Sequence, residues 1–210
     1  MLSQAAIIPF PVRRIRVSRP QLPARLANQR YRSREYLTPD EVAHLIEAAR
    51  KAGRNGRRDA MMISLAYRHG LRVSELVSLR WEQLDLGAGL LHVRRIKRGN
   101  HSVHPLHSSD VKELELLLNE RHGRQEVFIS ERGAKLSADA LRKIVSRAGR
   151  EARIPFPVHP HMLRHACGYK LAQDGQDTRA IQDYLGHKNI QHTVRYTQLS
   201  SDRFRGFWSD

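Results

Sequence analysis

Cysteine is nearly missing from this sequence: Cys167 is the single thiol in 210 residues. An internal disulfide is thereby excluded, and a reducing compartment, cytoplasm or nucleoid, is indicated. Long apolar runs are missing too, since none approaches the ~20 residues that a membrane-spanning helix needs. The early stretch Ala5-Ala6-Ile7-Ile8 is short and broken by Pro9 and Pro11, unlike a secretory signal. Acidic residues are scarce beside basic ones, 21 Asp and Glu against 37 Lys and Arg, for a formal net charge of +16. That surplus calls for a polyanionic partner, nucleic acid before an anionic membrane surface. No tight carboxylate cluster is present: Asp85 is isolated, and Asp174, Asp177 and Asp183 fall at helical or turn positions. There is no internal repeat.

What remains is the composition of an ordinary globular protein, 40% hydrophobic and 28% charged, long enough for one well-buried domain with an appendage. The first 36 residues are basic and aperiodic. Arg13, Arg14, Arg16, Arg19, Arg25, Arg30, Arg32 and Arg34 stand among Pro11, Pro20 and Pro23, with Glu35 the only acid. Two readings are open for this stretch, an extended arm on DNA phosphates or a solvated leader.

Order begins at Thr38-Pro39-Asp40-Glu41, a capping box with Pro at the first helical position. Val42, Leu45, Ile46 and Ala49 follow at helical spacing, and Gly53 stops the helix. A second helix carries Met61, Met62, Leu65 and Ala66 to Gly70, and a third holds Val73, Leu76 and Val77. Leu91 and Val93 then alternate with polar residues, Gly99-Asn100 supplies a turn, and Val103 resumes before Pro105. That pattern predicts a small β-hairpin with a basic tip. Helices are expected around 111–118 and 138–152, a short strand at 127–129, and almost continuous helix over 160–208. The expected class is mainly α with a small β-sheet or hairpin, α+β.

Four segments hold residue types suited to phosphoryl transfer. Gly70-Leu71-Arg72-Val73-Ser74-Glu75-Leu76 sets Arg72 at a helix start, with Glu75 one turn on to orient it. Arg95-Ile96-Lys97-Arg98-Gly99-Asn100 forms the hairpin tip, where Arg95 and Arg98 are candidate DNA contacts and Lys97 a mobile donor. His161 and Arg164 are three apart and share a helix face. The i,i+4 pair His161 and His165 also invites a zinc reading, but the glutamate of His-Glu-x-x-His is missing. Last come Leu185-Gly186-His187 and, nine residues after the histidine, Tyr196.

Together these segments, in this order over 37–197, resemble the tyrosine recombinases and phage integrases. Within that family, His159-Pro160-His161-Met162-Leu163-Arg164-His165, the run 178–187, Asn189-Ile190-Gln191-His192-Thr193-Val194-Arg195-Tyr196 and Gly206-Phe207-Trp208 look like the fimbrial phase-variation invertases. The resemblance implies a recombinase catalytic domain at 37–198 without a full N-terminal core-binding domain, the basic arm at 1–36 standing in its place. It implies Tyr196 as nucleophile, Arg72, Arg164 and His187 as phosphate ligands, His161 as proton acceptor or orienting partner, and Lys97 as general acid. Glu75 supports, and Arg13, Arg14, Arg16, Arg95 and Arg98 bind DNA. Neither cofactor nor metal is implied, since two arginines occupy the role of a metal pair. The implied partners are double-stranded DNA with inverted-repeat sites and a homotetramer on it, without membrane. In the tail, 199–210, Phe204, Phe207 and Trp208 make one apolar stripe that either packs on its own domain or docks on a neighbouring protomer. A type IB topoisomerase, a DNA-binding regulator that never cuts and a zinc hydrolase are the competing readings.

Overall fold

Thr38 closes the first turn of its helix as its neighbours require. Its hydroxyl accepts from the Glu41 N–H at 3.3 Å, and the Glu41 carboxylate accepts from the Thr38 N–H at 2.9 Å. A cap of this kind contributes about 1 kcal/mol. The structure, a computed structural model, describes residues 34–95, 101–120 and 123–198. Helix α1 (Pro39–Lys51) lies against α2 (Gly56–Arg68) and α5 (Ala138–Glu151), burying Val42, Leu45 and Ala49. Helix α2 is buried along most of its length, so its residues 59–66 form the floor of the domain. Leu141, Ile144, Val145 and Ala148 complete the same core from α5, one stripe at i, i+3, i+4 and i+7.

The short α3 (Val73–Val77) leads through a turn of 3₁₀ helix at Trp81–Gln83 into a three-stranded antiparallel sheet. Its strands are β1 (Leu84–Asp85), β2 (Leu90–Val93) and β3 (Ser102–Pro105), in that order. Leu91 and Val93 point into the core, as the alternation predicts. The pairing of Leu91 with His104 turns His104 inward and leaves Val103 exposed, although Val103 is the apolar residue of the pair. Helices α4 (Ser108–Asn119), α6 (Pro160–Gln173), α7 (Thr178–Leu185) and α8 (Gln191–Gln198) complete the described residues.

Three expectations are corrected. The strand expected at 127–129 forms only isolated bridges, Arg80 with Glu126 and Ile129 with Lys135, because the chain touches each partner at one position and builds no ladder. The short β1 was not expected, and two residues are too few to show alternation. Arg34, grouped with the arm, belongs to the fold: it pairs with Glu41, and its guanidinium lies 5.3 Å from the Phe156 ring centroid. The arm through residue 33, the hairpin tip 96–100 and the tail 199–210 lie outside the described residues. No helix among the described residues is long and apolar enough to cross a membrane.

Candidate active site

The site is organised around the end of α7. Asp177 caps its start by accepting from the N–H groups of Arg179 and Ala180, and Gly186 ends it in the left-handed region at φ 64°. There Gly186 N–H donates to the Asp183 carbonyl and His187 N–H to that of Gln182, each at 3.0 Å, the Schellman closure that glycine favours. Three successive carbonyls at this end are met by three guanidinium groups. Arg95 donates to Tyr184 O, Arg164 to Leu185 O at 2.6 Å, and Arg72 to Gly186 O at 3.2 Å. Helix C-terminal carbonyls carry partial negative charge and lack intrahelical donors, so cations settle there.

Glu75 ties the arginines together from the other side. Its carboxylate accepts from Arg72 Nη1, from the Arg72 backbone N–H and from Arg95 Nη1, each at 2.8 Å. Burial works against the charged carboxylate, but Arg95 and the hydrogen bonds from Arg72 outweigh it and hold its pKa below the ordinary value. Arg164 is 2% exposed and also donates to Gly70 O. Burial, with Arg72 and Arg95 nearby, lowers its pKa to about 10, so three positive charges share a space holding one carboxylate. That excess is a seat for an anion.

Tyr196 stands beside this seat on α8, 1% exposed and packed with Cys167, Ile181 and Leu185. Gly168 makes room for it, because a Cβ there would come within 2.5 Å of the ring. The phenol oxygen lies 2.8 Å from His165 Nδ1. Burial pushes the phenol up to about 12 against the pull of Arg164 and Arg195. Burial, then the neighbouring His161 and Arg195, drops His165 to about 3, so at neutral pH it is uncharged. His187 is likewise lowered to about 3 by burial and the adjacent Arg164 and Arg72, and its Nδ1 lies 2.9 Å from the buried Thr193 hydroxyl. The tautomer of the ring follows which of the two groups donates: a hydroxyl donating to Nδ1 leaves the ring proton on Nε2, and an Nδ1–H donating to the hydroxyl leaves Nε2 bare.

The sequence profile of the phage integrase family matches residues 35–203. The chain belongs to the phage integrase family. It is thus a tyrosine-type site-specific DNA recombinase. It is 48% identical over 181 residues to the type 1 fimbriae regulatory protein FimE of Escherichia coli K12, covering 83% of this chain and 91% of that protein. To FimB of the same strain it is 41% identical over 182 residues, covering 84% and 90%. Among solved structures, the XerA recombinase superposes with a TM-score of 0.71 at 30% identity, over 82% of this chain and 63% of that one. A lambda integrase dimer bound to a core site superposes at 0.61 with 25% identity, over 83% and 50%. The chain thus spans about half to two thirds of these larger integrases.

Of the residues expected to act in this integrase, the structure brings together Arg72, Glu75, Arg164, His187 and Tyr196. His161 is exposed one turn before His165, its ring 4.4 Å away, and it is His165 that touches the phenol. Arg95, expected as a DNA contact, is corrected: its side chain is 0% exposed and spent on Glu75 and Tyr184, because the chain leaving β2 turns inward there. Lys97, Arg98, Arg13, Arg14 and Arg16 lie outside the described residues. His165, Thr193 and Gly168 were missed. Only the spacing of His165 relative to Tyr196 across two helices reveals it, and that spacing is not local in sequence.

Proposed function

We propose that this recombinase cuts DNA at inverted-repeat sites through Tyr196, and that the observation carrying this is the gathering of Arg72, Arg164 and His187 at the end of α7 beside the phenol. Tyr196 Oη attacks the scissile phosphorus, the phenolic proton passes to His165, and the phosphorus–O5′ bond breaks. The products are a 3′-phosphotyrosyl bond and a 5′ hydroxyl, protonated by Lys97. Arg72, Arg164 and the Nε2 proton of His187 stabilise charge on the non-bridging oxygens. His161 stands at the exposed end of the histidine pair, where the proton leaves. Because Tyr196 is 1% exposed, its phenol meets a phosphate only after α8 shifts. Inversion as the outcome, a tetramer as the working assembly and the cytoplasm as its place belong to the same proposal. Residues 1–33 would serve as a DNA-binding arm and 199–210 as a docking tail.

The test is covalent capture from a randomised pool of nicked inverted-repeat duplexes, carried out in EDTA. Adducts are expected without divalent ions. A strict divalent requirement for cleavage would contradict the arginine-based chemistry. Lys97 is tested separately: Lys97→Ala cleavage should recover on a substrate whose 5′ leaving oxygen is sulfur, which departs without a proton. If sulfur brings no recovery, Lys97 is a backbone contact rather than the acid.

A further inference from the structure

Arg95 makes a set of contacts that DNA binding does not explain. It follows β2 by two residues, immediately before the segment that carries Lys97. One arm of its guanidinium reaches Glu75 on α3, and the other reaches the Tyr184 carbonyl on α7. Gly186 closes over it, since a Cβ there would come within 2.7 Å of Arg95 Nε. The Tyr184 ring is itself held, stacked on the inward-facing His104 of β3 with centroids 3.8 Å apart. A single side chain, two residues past β2, therefore joins the carboxylate that orients Arg72 to the helix end that anchors Arg72 and Arg164.

We propose that Arg95 is a positioning residue of the recombinase site, a strut that holds Glu75 and the end of α7 at a fixed separation so that Arg72 and Arg164 face one phosphate together. The inference rests on the reading that these arginines hold the scissile phosphate. Removing one partner of a buried ion pair is costly chiefly through the charge it leaves unpaired. Glu75 keeps Arg72 as a partner when Arg95 is gone. Replacing Arg95 should therefore cost geometry more than folding, and small misplacements of catalytic groups cost rates up to about 10²-fold.

The experiment uses duplexes captured by the wild-type protein, with single-turnover adduct formation, DNA affinity and thermal melting measured for each variant. Arg95→Met is expected to slow adduct formation by about 10²-fold with DNA affinity near wild type and melting lowered only by the unpaired Tyr184 carbonyl. The deficit should shrink by about tenfold on a substrate with a methylphosphonate at the scissile position, where the non-bridging charge that the two arginines face is gone. Arg95→Lys keeps a charge for Glu75 but cannot also span to Tyr184, so it should show the same selective loss even if Arg95→Met fails to fold. Wild-type rates in Arg95→Lys, or a deficit equal on both substrates, would overturn the strut. Failure of the wild-type protein to capture any duplex would instead remove the reading beneath it.

Discussion

Tyr196→Phe is expected to abolish covalent adduct formation while leaving DNA affinity unchanged. The ring would stay in the space that Gly168 provides, packed with Cys167, Ile181 and Leu185. The substitution removes one hydroxyl, whose partner is His165 Nδ1 at 2.8 Å. A hydrogen bond of that kind contributes about 0.5–1.5 kcal/mol, so melting should fall only slightly. The chemistry has no such margin, because no other oxygen stands at that position to form the phosphoester. Gel detection of adducts on a nicked duplex, beside a binding isotherm, checks both parts. Adducts formed by the Phe variant would place the nucleophile elsewhere.

Arg164→Ala should have the second-largest effect and should damage the fold as well. Its guanidinium serves Gly70 O and Leu185 O, and both of those residues are buried, so each carbonyl loses its donor when the guanidinium is removed. Each buried group left unpaired costs about 1–3 kcal/mol. The loss of an electrostatic donor at the phosphate costs about 10²–10³ in rate. Arg164→Lys separates the two effects. An ammonium can take one of the carbonyls and recover part of the melting temperature, but it lacks the fork that meets two carbonyls and a phosphate together. Cleavage should therefore stay low in Arg164→Lys, including on the sulfur-substituted substrate that relieves Lys97→Ala. Near-wild-type cleavage by the lysine variant would mean that Arg164 supports the fold and not the phosphate.

Local chemistry made much of this integrase legible before its structure. The Thr38 cap, the apolar stripes of α1 and α5 and the alternation of Leu91 with Val93 are decided by neighbours close along the chain, and each appears as its residues indicate. Register is another matter. Val103 is apolar and His104 is not, yet pairing with Leu91 puts the histidine inside, where the Tyr184 ring covers it. Nothing local distinguishes those two outcomes. The site divides in the same way. Arg72, Arg164, His187 and Tyr196 were legible because each sits in a short motif with a characteristic spacing. The contacts of Arg95 and His165 were not, because they depend on segments far apart in sequence meeting in space. Arg95 reads as one more charge of a basic tip until Glu75, 20 residues earlier, and Tyr184, 89 residues later, are seen to enclose it.

The most direct measurement is to digest the captured protein–DNA adduct with trypsin and locate the linked residue by mass spectrometry. The tryptic peptide beginning after Arg195 should carry a 3′-phosphonucleotide on Tyr196, and no other peptide should. Tyr169 is the informative rival, since its ring lies 5.0 Å from that of Tyr196 and it is only partly buried. A nucleotide on Tyr169, or on any residue other than Tyr196, would contradict the account.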